Sequence, residues 1–149
     1  MKDEQVIVER VYNAPVERVW HALTDVEKMR QWYFYTLTEF EPEAGFETTF
    51  DVTHNGKIFS HILKVTEVVL NKKISYEWKY GGYPGNSLVS FELFDEDGKT
   101  RIVLTHDKLE TFRGDIHPDM AKQNFVQGWT HFIGTALKEF VEQGTEEQN

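Results

Sequence analysis

Hydrophobic positions along the chain change their period twice, and the changes mark out three stretches. Val6-Ile7-Val8-Glu9-Arg10-Val11-Tyr12 is β-branched and roughly alternating, which predicts a first strand. Asn13-Ala14-Pro15 stops it, and Pro15 suits the first turn of a helix because its missing N–H would lack a partner there anyway. Val16, Val19, Trp20 and Leu23 follow at i, i+3, i+4 and i+7, an apolar helical stripe. Thr24 and Glu27 have capping-box spacing and begin a second short helix through Val26, Met29 and Trp32.

From about Thr36 the period becomes two. Phe46, Thr48, Phe50 and Val52 alternate with Glu47, Thr49 and Asp51, a strand that ends at the hairpin turn His54-Asn55-Gly56. Lys57 to Val69 predicts a long strand with Phe59, His61, Leu63 and Val65 on its apolar face, and Asn71-Lys72 turns the chain again. Ile74, Tyr76, Trp78 and Tyr80 share a face opposite Ser75, Glu77 and Lys79. Gly81 to Asn86 is a loop rich in breakers. Val89, Phe91 and Leu93 form the next inward set, Asp95-Glu96-Asp97-Gly98 a turn, and Ile102, Leu104 and His106 the last inward set. Strands joined by short turns imply an antiparallel meander.

The third stretch returns to helical spacing. Phe125, Trp129, Phe132, Ile133, Ala136, Leu137, Phe140 and Val141 recur without a break, with Pro118 placed to begin the helix and Gly144 to end it. Some 25 residues would reach roughly 37 Å, enough to cross a whole sheet. The architecture is therefore α+β: six or seven antiparallel strands, two short helices after the first, and one long C-terminal helix. A sheet with a single covering helix buries its apolar face by curling around it. The grip leaves a wedge where sheet and helix diverge, closed at one end by the short helices.

Composition narrows the function classes. The 149 residues fit one domain, 1–149, with a core over about 6–143 and a polar tail over 144–149. Lys and Arg number 16 against 25 Asp and Glu, so the net charge of -9 disfavours nucleic acid and anionic membranes as partners. The absence of cysteine removes disulfides, thiolate metal sites and a Cys nucleophile. The start, Met1 to Gln5, lacks the apolar run of a signal peptide, and no stretch approaches the ~20 apolar residues of a membrane span, so a cytoplasmic protein is expected.

The wedge carries the functional reading. At ~24 cal/mol per Å³, a dry 300 Å³ void would cost about 7 kcal/mol, against a typical domain stability of ~5–15 kcal/mol. It is therefore filled by bulky side chains, by water or by a ligand. Eleven Phe, six Tyr and four Trp suit the first and third options equally. The side chains expected to contact an occupant are Trp32, Phe50, His61, Tyr76, Trp78, Phe91, His106, Phe125, Trp129 and Phe132. The two histidines would be neutral imidazoles that orient a carbonyl or hydroxyl, or else core groups with internal partners. Gly128 costs about 1 kcal/mol in a helix and suggests close approach of sheet or ligand. Thr111 to Pro118 reads as a lid or as a plain connection. The six histidines show no H-x-x-x-H spacing, and no G-x-S-x-G, P-loop or G-x-G-x-x-G occurs. No catalytic residue, metal site or cofactor is expected.

The opening Val11-Tyr12-Asn13-Ala14-Pro15-Val16-Glu17-Arg18-Val19-Trp20-His21-Ala22-Leu23-Thr24-Asp25 resembles that of the START-like (SRPBCC, birch-pollen-allergen-like) superfamily. Ile74 to Trp78, Thr100 to His106 and Gly128-Trp129 are similar to its AHSA-like branch, named after the activator of the Hsp-ninety chaperone ATPase. The resemblance spans about Val6 to Val141. It implies a helix-grip fold with a cavity under the long helix and a small hydrophobic ligand, aromatic, lipid or polyketide-like. Alternatives within the superfamily are a cyclase or hydrolase-type enzyme using the same cavity, and a domain that modulates a chaperone ATPase. A chaperone or a second copy of the chain is a further conceivable partner.

Overall fold

The computed structural model describes residues 4–147 of the chain. Val6–Tyr12 forms β1, Val16–Thr24 α1 and Val26–Trp32 α2. The meander comprises β2 (Glu47–His54), β3 (Lys57–Val69), β4 (Lys73–Tyr80), β5 (Ser87–Glu96) and β6 (Lys99–Asp107). Together with β1 they make one curved antiparallel sheet of six strands in the order β1-β6-β5-β4-β3-β2. The chain's first strand thus closes against its last, Val8 opposite Leu104, and β1 and β2 form the two edges. Period-two patterning does not begin at Thr36: residues 36–46 contain no strand, and Leu37 and Phe40 are buried as isolated anchors of a connection.

The concave face carries the inward sets that alternation predicts. Leu63 stands opposite Trp78, Ile74 opposite Phe91, and Phe91 opposite Leu104. A bulge between Val65 and Glu67 breaks the β3 ladder, the kind of irregularity that bends a strand and increases its twist.

The short helices follow the predicted stripe with a different cap. Asp25, and not Thr24, caps α2, its carboxylate accepting from the Glu27 N–H at 3.1 Å. Thr24 turns its hydroxyl back to the Trp20 carbonyl instead. Pro15 sits one position before α1, its carbonyl accepting from Arg18 and Val19.

The C-terminal rod begins later and ends later than its Pro and Gly suggest. Pro118–Met120 is a separate 3₁₀ turn, α3 spans Lys122–His131, a π turn spans Phe132–Ala136, and α4 spans Leu137–Glu147. Gly144 therefore does not end the helix; of the tail expected over 144–149, positions 148 and 149 lie outside the described residues, as does Met1 to Asp3 of the N-terminal segment. The π turn has a reason in the sequence. Phe125, Trp129, Ile133, Leu137 and Val141 are all buried at strict four-residue spacing. In an ideal α-helix each such step advances ~40°, so the stripe would wind away from the sheet over four steps. One wider turn slows that drift and keeps the stripe facing inward. The sheet meets the turn directly: the Tyr12 hydroxyl donates to the Ile133 carbonyl, and Arg10 lies against Gly134.

Candidate ligand-binding cavity

Helix and sheet are packed solid along one half of the palm and part along the other. On the β5–β6 side, Val89, Phe91, Leu104 and His106 are at most 1% exposed. On the β2–β4 side a cavity of about 270 Å³ remains. Its floor is Val52, Phe59, His61, Trp78 and Tyr80; its roof is Asn124, Phe125, Gly128, Trp129 and Phe132; Phe34 closes one end and Asp119 and Met120 another. His54 and Asn124 are exposed, which places the mouth between the β2–β3 hairpin and the start of α3. There Lys57 Nζ meets the Asp119 carboxylate at 2.9 Å, tying hairpin to turn.

Rings make most of the wall. Phe34 lies 5.3 Å from His61, 5.8 Å from Trp78 and 5.3 Å from Phe132, centroid to centroid, and Trp78 lies 5.5 Å from Trp129. Gly128 opens it further: a Cβ built there meets nothing within 4 Å. The close approach expected from a helix glycine is thus not an approach of the sheet. The missing side chain is part of the cavity's volume.

Three polar groups are set among the rings. His61 Nδ1 lies 3.0 Å from the Phe59 carbonyl, so that nitrogen carries the proton and Nε2 keeps a lone pair. Burial holds the imidazole neutral, pushing its pKa down to about 4 against the small opposing effect of the Phe59 carbonyl. The Trp78 Nε1–H is shielded from solvent and has no hydrogen-bond partner among the described residues. The Tyr80 hydroxyl lies close enough to feel this N–H, though outside hydrogen-bond geometry, and burial raises its pKa well above the usual tyrosine range.

Of the ten side chains expected to contact an occupant, His61, Trp78, Phe125, Trp129 and Phe132 meet around this cavity. Trp32, Phe50, Tyr76, Phe91 and His106 stand behind or beside its wall. Trp32 gives its indole N–H to the Ala22 carbonyl and stacks on Tyr33 at 4.5 Å; Phe50 stacks on His61 at 5.3 Å. The Tyr76 hydroxyl pairs with that of Tyr33 at 2.8 Å, and Phe91 packs on Trp129 at 5.8 Å. His106 is saturated. Its Nδ1 accepts from Trp129 Nε1–H at 2.9 Å, so Nε2 carries the proton toward Ser87 Oγ at 2.7 Å, and that hydroxyl donates to the Trp78 carbonyl. Every donor in this relay has one acceptor.

Phe34, Val52, His54, Phe59, Asp119, Met120 and Asn124 also line the cavity. Val52 and Phe59 carry the alternation signal; Phe34, Asp119 and Met120 sit in turns, where no period marks them. The 111–118 segment is fastened at its start: Thr111 Oγ1 accepts from the Asn86 N–H and touches the Asn86 carbonyl at 3.1 Å, and Phe112 is fully buried. Among the described residues no three His, Cys, Asp or Glu side chains converge as metal ligands, and no helix is long and apolar enough to cross a membrane.

A curved antiparallel sheet closed on a long helix, with a cavity left between them, defines the helix-grip class. Solved structures share it at low sequence identity. A protein of Chromobacterium violaceum superposes with a TM-score of 0.78 at 18% identity, covering 93% of this chain and 96% of its own. One from Mesorhizobium loti gives 0.72 at 25%, over 98% and 99%. DynU16, from the dynemicin biosynthetic locus, gives 0.74 at 22%, covering 96% of this chain, which spans 49% of DynU16. No curated protein matches significantly. The family model described as "Activator of Hsp90 ATPase homolog 1-like protein" matches residues 13–142, and the chain belongs to that family.

Proposed function

We propose that this protein binds a small hydrophobic molecule, of one or two rings, in the cavity between β2–β4 and α3. The observation that supports this most is the conjunction of a 270 Å³ aromatic cavity with Gly128 in its roof. An apolar cavity of ~150 Å³ accepts one benzene ring, so this volume suits one ring to two fused rings. A helix glycine costs about 1 kcal/mol relative to Ala, and here no neighbour requires it, which supports room kept for an occupant. A proton-transfer enzyme using His61 as base is the weaker reading, because an imidazole held near 4 is a poor base at neutral pH.

Thermal shift with naphthalene and indole tests the proposal. Both should raise the melting temperature of the protein as isolated, and Gly128→Leu, which fills the cavity from the roof, should abolish the rise while remaining folded. Probes that bind the Leu variant equally well would show that the cavity is not their site.

A further inference from the structure

The aromatic walls leave the chemistry of the occupant open, but the polar groups set among them do not. His61 Nε2 offers a lone pair that no described residue engages. Tyr80, which also lines the cavity, makes no side-chain hydrogen bond of good geometry among the described residues; the Trp78 Nε1–H that its oxygen feels is shielded from solvent and cavity alike. Leaving such groups unmet is costly. They are also close together. The His61 ring lies 5.4 Å from that of Trp78 and 4.7 Å from that of Tyr80, centroid to centroid. One oxygen atom set between His61 and Tyr80 would answer an acceptor and a donor at once, provided that it carries a proton. A hydroxyl does this; an ether or a ketone takes only the donor. The cavity lining holds no Lys or Arg, and its one carboxylate, Asp119, is paired with Lys57 at the mouth. A buried anion would find no counter-charge there.

Resting on the ligand-binding reading above, we infer that the occupant is an uncharged hydroxy-aromatic molecule. Its hydroxyl accepts from the Tyr80 hydroxyl and donates to His61 Nε2, while its ring or rings lie under Gly128.

The test is a calorimetric comparison of naphthalene, 2-methoxynaphthalene, 2-naphthol and 2-naphthoate on the protein as isolated. The inference predicts that 2-naphthol binds about tenfold tighter than naphthalene, as one net buried hydrogen bond allows. The methoxy compound should fall between naphthol and naphthalene, and naphthoate below both. His61→Leu should bring 2-naphthol down to the level of the methoxy compound. Should a variant misfold, the unmodified protein still decides, because the order of affinities among the four compounds needs no substitution. Equal affinities for naphthalene and 2-naphthol would overturn the inference and leave the ligand-binding reading standing. Equal affinities for 2-naphthol and its methyl ether would remove the His61 contact, and tight naphthoate binding would remove the requirement for a neutral molecule. If none of the four binds, the ligand-binding reading itself fails.

Discussion

His106 and His61 are both sunk among rings on the concave face, and burial holds both neutral, the one near 3 and the other near 4. Their nitrogens are treated differently. At His106 both are engaged, so the imidazole is a connector between α3, β6 and β5, and it specifies where Trp129 sits. At His61 one nitrogen is engaged by the chain's own backbone two residues away, and the other is left over. Depth of burial does not separate the two histidines. Hydrogen-bond completeness does. The same contrast divides the palm: on the packed side His106, Ser87 and Trp129 satisfy one another, and beside the cavity His61 Nε2 and Tyr80 Oη are left over among the described residues.

The largest effect expected from this contrast is acid lability. In the unfolded chain both histidines titrate near 6.5, and in the fold near 3 and 4, so the unfolded state takes up more protons once pH falls below 6.5. Their stability contribution is complete above that value and declines toward the folded pKa values. At pH 5 each should cost about 2 kcal/mol relative to neutrality, which urea titrations at pH 7 and pH 5 would read as a lower midpoint. If the midpoint does not fall, the imidazoles are not held neutral.

His106→Leu comes next. It strands the Trp129 N–H and the Ser87 hydroxyl in the core and should cost about 3 kcal/mol at pH 7, while removing close to half of the acid lability. His61→Leu removes a single hydrogen bond to a backbone carbonyl and should cost no more than about 1 kcal/mol. Chemical denaturation of the two variants side by side sharpens the contrast; equal losses would erase it. The smallest effect has the opposite sign. Gly128→Ala places a methyl group in open space on a helix, and should stabilise by about 1 kcal/mol, or some 3 °C in melting temperature.

Most of the fold is legible in the sequence because the two periods report which face is buried. Ile74, Tyr76, Trp78 and Tyr80 could belong only to a strand, and the four-residue repeat from Phe125 to Val141 only to a helix facing inward. What period cannot report is depth. Tyr76 and Trp78 share a face, yet one meets Tyr33 and the other the cavity, because the distance between sheet and helix changes along β4. That is also why Phe91 and His106 carry the same signal as His61 and end in solid core. Phe34 and Met120 lie in turns, where burial depends on the path of the chain and leaves no trace in spacing. The end signals misled for a related reason: Pro118 opens a 3₁₀ turn of its own, and the helix tolerates Gly144 because nothing after it breaks the run before Glu147.

The most direct measurement of the account is a crystal structure of the protein grown with 2-naphthol. The account predicts planar density beneath Gly128, bounded by Phe34, Trp78 and Phe125. Density only in the surface groove where β1 faces Lys122 and Val126, or a Gly128 face closed over by shifted rings at saturating naphthol, would contradict it.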